Sequence, residues 1–315
     1  MSGLDRMFAK VVLASQSALT PALPLVTMHL HYPDIIHGEV MTHRVFSRNA
    51  RSMRAVPVKK MAQEVIDDPF VPWHWGKNQR GMQASEECNE LVAVRNFNLD
   101  HDEENTSGRK HDLVSREEAW LDEAKHAAEK ALAYDAAGYH KQVANRIIAP
   151  YTWKHTLITS TSWANFLHLR DHEDAEPHFH DLAAMVREAL RTARFWKLSP
   201  GEWHLPYVTQ EEIKNLPLEV CQKLSAARSA RVSYAPFDGD ASVEREIQRF
   251  NHLIESQPLH ASPTEHQATP DTGAPMAIEP NKWIYDNAHM SGNFAPGWIQ
   301  FRKTLPGEYI EDVAA

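Results

Sequence analysis

Apolar positions recur along this chain with two different periods. In LPLVTMHLHY (23–32) they roughly alternate with polar ones, which predicts a half-buried strand, and SARVSYA (229–235) is a second strand candidate. Elsewhere the spacing is helical. Ser115 and Glu118 have the spacing of a capping box ahead of REEAWLDEAKHAAEKALAY, and Gly138 stands where that helix should end. YHKQVANRII continues the helical pattern until Pro150, and the apolar run TLITSTSWANFLHLR follows. Pro177 suits the first turn of a helix over HFHDLAAMVREALRTARFWK, and VEREIQRFNHLIES is amphipathic. Two stretches carry neither period, 67–116 and 258–297, and are expected to be a long loop insertion and an extended loop. The pattern predicts a mixed α/β (α+β) fold with more helix than strand, in one domain spanning 1–315.

Composition narrows the class. The 315 residues are 43% hydrophobic and 24% charged, a globular balance with material for a sizeable core. No apolar run approaches the roughly 20 residues that span a bilayer, and the N-terminus lacks the basic and apolar regions of a secretory signal. Cys88 and Cys221 are far apart in sequence, which excludes a disulfide scaffold and a cysteine zinc site. A cytoplasmic location is the expectation. The net charge of −9 argues against broad coating of nucleic acid, while leaving room for a local anion site.

That room lies in EVMTHRVFSRNARSMRAVPVKKMAQE. Between Glu39 and Glu64 there is no acidic residue, and Arg44, Arg48, Arg51, Arg54, Lys59 and Lys60 lie inside. Arg44, Arg48 and Arg51 have helical 4-then-3 spacing, so their like charges need an offset, either acidic groups from elsewhere or a bound anion. Ser47, Asn49 and Ser52 are interleaved, and short polar side chains beside arginine forks suit phosphate oxygens. A solvated basic face is the competing reading.

HRVFSRNARSMR resembles the signature R-H-R-x-x-S-x-N-E-x-S-x-R of the flavin-dependent thymidylate synthases, the ThyX family. His43, Arg44, Ser47, Asn49, Ser52 and Arg54 match, while Thr42 replaces the first Arg and Ala50 the Glu. A second segment, from Arg146 through Pro150 and Tyr151 to NFLHLR (165–170), is similar to the family's later helical region. SARVSYA and HASPTEH (260–266) resemble the family's usual N-terminal region, yet here they follow the other motifs. A circular permutation of a ThyX-like fold, a mixed sheet with long helices, explains that order, since permutation is tolerated where old termini are close and new ones exposed.

The resemblance implies reductive methylation of dUMP at C5, with FAD as cofactor and methylenetetrahydrofolate and NADPH as co-substrates. It implies a catalytic role for Arg170 against the pyrimidine ring. Ser52, Arg54 and Arg146 would hold the nucleotide, Arg146 from a neighbouring subunit of a homotetramer, and Glu39 stands where the family commonly has a nucleotide-side Gln. Contacts to FAD fall on His43, Arg44, Val45, Asn49, Asn165, Ser262 and Glu265. Thr42 and Thr161 stand at flavin-side basic positions, and Arg302 and Lys303 in the tail are candidates to restore the missing charge.

Other classes leave weaker traces. For a metal hydrolase, His101-Asp102 forms an HD pair in a polar loop, His178 and His180 point to different sides of a helix, and His29 and His31 share a strand face with no third ligand following nearby. No metal is expected. A nucleotide-binding relative without flavin, or an enzyme that methylates or hydroxymethylates dCMP, also fits the altered motif positions.

Overall fold

The alternation in residues 23–32 forms the centre of a five-stranded sheet. The computed structural model describes residues 3–95, 111–232, 240–256, 259–279 and 281–309. Its strands are β1 (Phe8–Ser17), β2 (Leu25–Pro33), β3 (Ser47–Ala50), β4 (Val92–Arg95), β5 (His111–Val114), β6 (Trp153–Ser160), β7 (Trp196–Leu198), β8 (Ala268–Pro270), β9 (Gly273–Pro275), β10 (Trp283–Tyr285) and β11 (Trp298–Gln300). Its helices are α1 (His37–Val40), α2 (Val58–Asp67), α3 (Arg116–Ala136), α4 (Lys141–Ala144), α5 (Trp163–Arg170), α6 (Pro177–Arg191), α7 (Gln210–Asn215), α8 (Leu218–Ala230) and α9 (Val243–Glu255). The main sheet runs β3-β6-β2-β1-β7, antiparallel except for β1 with β7, so the fold is mixed α/β. No helix among the described residues is long and apolar enough to cross a membrane.

Strand alternation gives this sheet two unlike faces. Val26, Met28, Leu30 and Tyr32 of β2, with Ile158 of β6, pack on Trp163 and Phe166 of α5 and on Phe179, Leu182 and Val186 of α6. Fully burying side chains of this size contributes about 1.5–3 kcal/mol each. The opposite face sets a polar network beside the buried Leu25 and Leu157. Ser15 Oγ meets His204 Nδ1 at 2.8 Å, and His204 Nε2 meets Thr27 Oγ1 at 2.8 Å. Thr27 and Thr159 hydroxyls lie 2.6 Å apart, and Thr159 Oγ1 meets His266 Nδ1 at 2.8 Å. All five residues are buried, so an unmade bond here would carry a full desolvation cost. A second core forms where α2 meets α3 through Val58, Met61 and Val65 and the alanines 124, 127, 128 and 131.

Several elements follow the sequence pattern. Ser115 and Glu118 form the reciprocal capping box of α3, Gly138 beyond its end has φ +88°, and Pro177 opens α6. Others differ for identifiable reasons. The run TLITSTSWANFLHLR divides at Thr161, its β-branched half joining the sheet as β6 and the rest forming α5. YHKQVANRII is helical only over α4, because the buried Asn145 side chain donates to the Met53 and Val56 carbonyls at 2.8 and 2.9 Å. Ser229 and Ala230 end helix α8 instead of starting a strand, and 233–235 lie outside the described residues. The stretch 258–297 holds short strands, and β8 with β11 packs Trp298 against Leu25. Between α1 and α2 the basic segment is not helical: residues 41–46 hold turns and 47–50 is β3, which removes the helical stacking expected of Arg44, Arg48 and Arg51, while Lys59 and Lys60 lie on α2.

His29 and His31 do share a face, and a third histidine joins them across the sheet, which sequence spacing could not show. His155 lies opposite His31, their ring centroids 4.2 Å apart, and His29 Nε2 approaches His155 Nδ1 at 3.0 Å. No group of three His, Cys, Asp or Glu among the described residues is arranged to hold a metal ion. His101-Asp102 lies outside the described residues.

Burial pushes His204 and His266 down to about 3, His204 also through His266. Burial and the neighbouring imidazoles lower His29 to about 4 and His155 to about 3. A depressed histidine costs nothing above its unfolded value near 6.5. Below it the unfolded chain takes up protons that the folded chain refuses, so stability falls as pH falls. The urea midpoint should therefore drop steadily from pH 7 to pH 5, with His204 and His266 each costing about 1.4 kcal/mol per pH unit in the lower part of that range. A flat midpoint would show these histidines to be accessible to protons in the fold.

Candidate active site

Helix α5 buries Trp163 and Phe166 in the core, which leaves Arg170 at its last turn beside the loop that follows α1. There Arg170 Nε donates to His43 Nε2 at 2.9 Å, and Nη2 donates to Thr42 Oγ1 at 3.1 Å. The guanidinium lies over the Phe179 ring, 5.1 Å from its centroid. Thr42 Oγ1 in turn donates to the Glu39 carbonyl at 2.6 Å, and Arg48 braces the same turn through the Met41 and His43 carbonyls at 2.8 and 3.0 Å. His43 is buried, its ring 5.4 Å from Phe46 and 5.1 Å from Phe166. Burial, then the cations Arg170 and Arg48, push it down to about 4, so at neutral pH its Nε2 is a lone-pair acceptor.

Arg170 and Glu39 line one cavity of about 510 Å³, walled by the 82–87 stretch, by residues 173–176 ahead of α6 and by Pro177 at its start. Glu86, Glu87, Glu173, Asp174 and Glu176 also line it, and Arg170 is its cation. A phosphate dianion would be repelled there. A neutral ring with an acceptor for Arg170 and an N–H for a carboxylate would not. His74 also lines this space and is held to α6, its Nε2 2.8 Å from Asp181 Oδ2, which also accepts from Trp73 Nε1 at 2.8 Å. Sequence reasoning did not pick out His74 or the 82–87 wall, because they lie in a stretch with no periodic pattern.

The basic residues of 39–64 have separate fates. Arg51 forms a bidentate pair with Glu64 of α2 at 2.8 and 2.9 Å, so an acidic group supplies its offset. Arg44 and Arg54 are exposed, with no ionic partner among the described residues. Ser52 accepts from the Arg54 backbone N–H at 3.2 Å in the turn before α2. Arg146 follows Asn145, the residue that ties α4 to this turn, and Lys141 Nζ reaches the Ala55 carbonyl at 3.4 Å. The fold thus brings the Arg146 segment to the Ser52–Arg54 turn within one chain.

The HASPTEH segment docks beside β3. Gln300 Nε2 bridges the Ser47 hydroxyl and the Glu265 carbonyl at 3.3 and 3.1 Å, and Asn49 Nδ2 donates to the Ser229 carbonyl at 3.2 Å. Segments far apart in sequence therefore meet at one sheet edge. Arg302 forms an ion pair with Glu265 and another with Glu308 at 2.9 Å, and Lys303 also bonds Glu308. These two cations are already neutralised, contrary to the expectation that they replace lost flavin-side charge. Thr161 is buried, its hydroxyl accepting from the Ala295 N–H at 2.8 Å, so it packs inside the fold. Val45, Asn165 and Ser262 are exposed, and Ala50 ends β3 at the surface.

No family model matches the chain, and no curated protein matches it. Among solved structures it is similar to a flavin-dependent thymidylate synthase ThyX from Helicobacter pylori complexed with FAD and dUMP, at 16% identity over 53% of this chain and 67% of that one, with a TM-score of 0.32. It is also similar to a UMP/dUMP methylase, PolB, from Streptomyces cacaoi bound with 5-Br UMP, at 14% identity over 58% of this chain and 88% of that one, with a TM-score of 0.37.

Asn145→Ala should remove two buried hydrogen bonds and leave two carbonyls unpaired, at about 2–3 kcal/mol. Chemical denaturation checks the magnitude, and hydrogen exchange should show faster opening of residues 51–57. A loss below 0.5 kcal/mol would mean that the turn holds itself.

Proposed function

We propose that the chain is a flavin-dependent synthase that methylates C5 of a pyrimidine deoxynucleotide monophosphate, with dUMP as the substrate. The observation that carries this is the joining of two separately matched motifs: Arg170 of NFLHLR is clamped by His43 of HRVFSRNARSMR at the mouth of a cavity that also holds Glu39. FAD, when bound, supplies the hydride chemistry, with NADPH as reductant and methylenetetrahydrofolate as the carbon source.

The base occupies the acidic cavity. Arg170 faces a ring oxygen and stabilises the negative charge that grows there as C5 becomes nucleophilic. Glu39 accepts from a ring N–H. The phosphate lies at Ser52, Arg54 and Arg146, outside the acidic lining. Arg44 suits the cofactor diphosphate, because its exposed guanidinium has no internal partner to give up. Val45, Asn165 and Ser262 offer further exposed contacts, while Asn49 and Glu265 shape that edge through bonds they already make. The meeting of HASPTEH with β3 supports a circularly permuted order of one catalytic domain. The active assembly is a homotetramer with shared sites, which light scattering tests.

A second reading has one observation in its favour. The Glu39 carboxylate makes no hydrogen bond or ion pair among the described residues, and such an acceptor also suits the 4-amino group of dCMP. Incubation with dUMP or dCMP, methylenetetrahydrofolate, NADPH and FAD, followed by mass analysis, decides between them. A 14-dalton gain on dUMP is expected; no change in either nucleotide would end the synthase reading, and a gain on dCMP alone would move the substrate.

Arg54→Ala and Arg170→Ala should fail differently. Loss of a phosphate contact that is equal in ground and transition states raises KM for the nucleotide and largely keeps kcat. Loss of Arg170 should lower kcat by about 100-fold or more. Near-normal kcat in Arg170→Ala would remove it from the chemistry.

A further inference from the structure

We infer that His43 is a positioning residue for Arg170, and that its neutral Nε2 sets the direction in which the guanidinium faces the nucleotide base; this role rests on the nucleotide reading of the cavity. Arg170 is fixed on three sides. Nε is bonded to His43, Nη2 to Thr42, and one face of the guanidinium lies on Phe179. The Nη1 amino group has no partner among the described residues, and Arg170 lines the cavity. A guanidinium held along one edge offers its opposite edge, and two donors cannot swing away to water when the base is absent.

The His43 contact is the strongest of the three for geometric reasons. Thr42 is exposed, so its hydroxyl competes with solvent, whereas the His43 ring is fixed by Phe46 and Phe166 and buried. A histidine normally offers a donor as readily as an acceptor. Here Nε2 faces an obligate donor, so the ring proton must sit on Nδ1. Two cations, Arg170 and Arg48, lie near enough to disfavour a second proton. The same engagement occupies Nε2, so through that atom His43 acts on the substrate by way of Arg170, while Nδ1–H stays open to the cofactor contact the motif implies.

The test separates packing from hydrogen bonding. His43→Phe keeps an aromatic ring among Phe46, Phe166 and Phe179 and removes the acceptor. His43→Gln places an amide oxygen near the position of Nε2. Calorimetric titration with dUMP should show Kd raised about tenfold or more in His43→Phe and restored to within about threefold of wild type in His43→Gln. In an Arg170→Ala background, His43→Phe should change Kd no further, since the two act as one unit. An independent arm follows the Arg170 Nε–H resonance by NMR without nucleotide: it should be protected from exchange in wild type and His43→Gln, and lost in His43→Phe. An unchanged resonance, or unchanged dUMP affinity in His43→Phe beside a wild type that binds, overturns the positioning role alone. A wild type that shows the protected resonance but does not bind dUMP overturns the nucleotide reading, and the role with it.

Discussion

The pairing of β2 with β6 over eight positions, from Val26 with Ser160 to Pro33 with Trp153, determines where the other parts can go. A slip of one residue would exchange the two faces. On one side Met28, Leu30 and Ile158 would leave the helices, and on the other Thr27 and Thr159 would enter an apolar core without partners. The cost of unpaired buried hydroxyls has a second consequence. Thr27 and Thr159 bond each other, and each hydroxyl has its second partner in a histidine, His204 or His266, from a distant part of the chain. Docking of the segment that carries His266 thus completes the polar network of the sheet. That docking also brings Ser262 and Glu265 to the edge made by β3.

Charge pairing then separates structural cations from available ones. Arg51 with Glu64, Arg228 with Glu212, and Arg302 with Glu265 and Glu308 are each held by carboxylates. Glu212 is lowered to about 2, first by its bond to Arg228, which marks that pair as part of the framework. Arg170 belongs to neither group. Its anchors are a neutral imidazole, a hydroxyl and an aromatic face, none of which cancels its charge. On the proposed reading, a cation kept charged and oriented by neutral groups suits a site where negative charge develops transiently, because a carboxylate partner would have quenched the field in advance.

The fold was legible in the sequence where local rules act alone. Ser115 with Glu118, Gly138 and Pro177 mark their helix ends through backbone chemistry that involves no distant partner. The rule failed where tertiary contact decides. Asn145 halts a helix by bonding to a turn some ninety residues earlier, and Arg44, Arg48 and Arg51 have helical spacing in a segment that pairs with β6. The site was legible as motifs, since Arg170 and His43 were both singled out. Their mutual bond was not, because nothing in residue spacing records that position 43 meets position 170. His155 completing a histidine cluster with His29 and His31 was hidden for the same reason: cross-strand register is a property of the sheet.

The described residues of the 67–116 stretch, expected to be a loop, include the antiparallel pair β4–β5, and its first part is bound to the rest by the same logic of satisfied polar groups. Trp73 and His74 both bond one carboxylate, Asp181 on α6, while Trp120 of α3 donates its indole N–H to the Phe70 carbonyl at 2.6 Å. Helix α6 thus carries Phe179, which supports the Arg170 guanidinium, and two residues later Asp181, which holds Trp73 and His74. Position i and i+2 on a helix point in different directions, so one short turn serves the back of the arginine and the wall of its cavity at once. A shift of α6 would therefore move together the ring beneath the cation and the residues that hold the cavity wall, while His43 and Thr42 hold the cation's edge from the loop after α1.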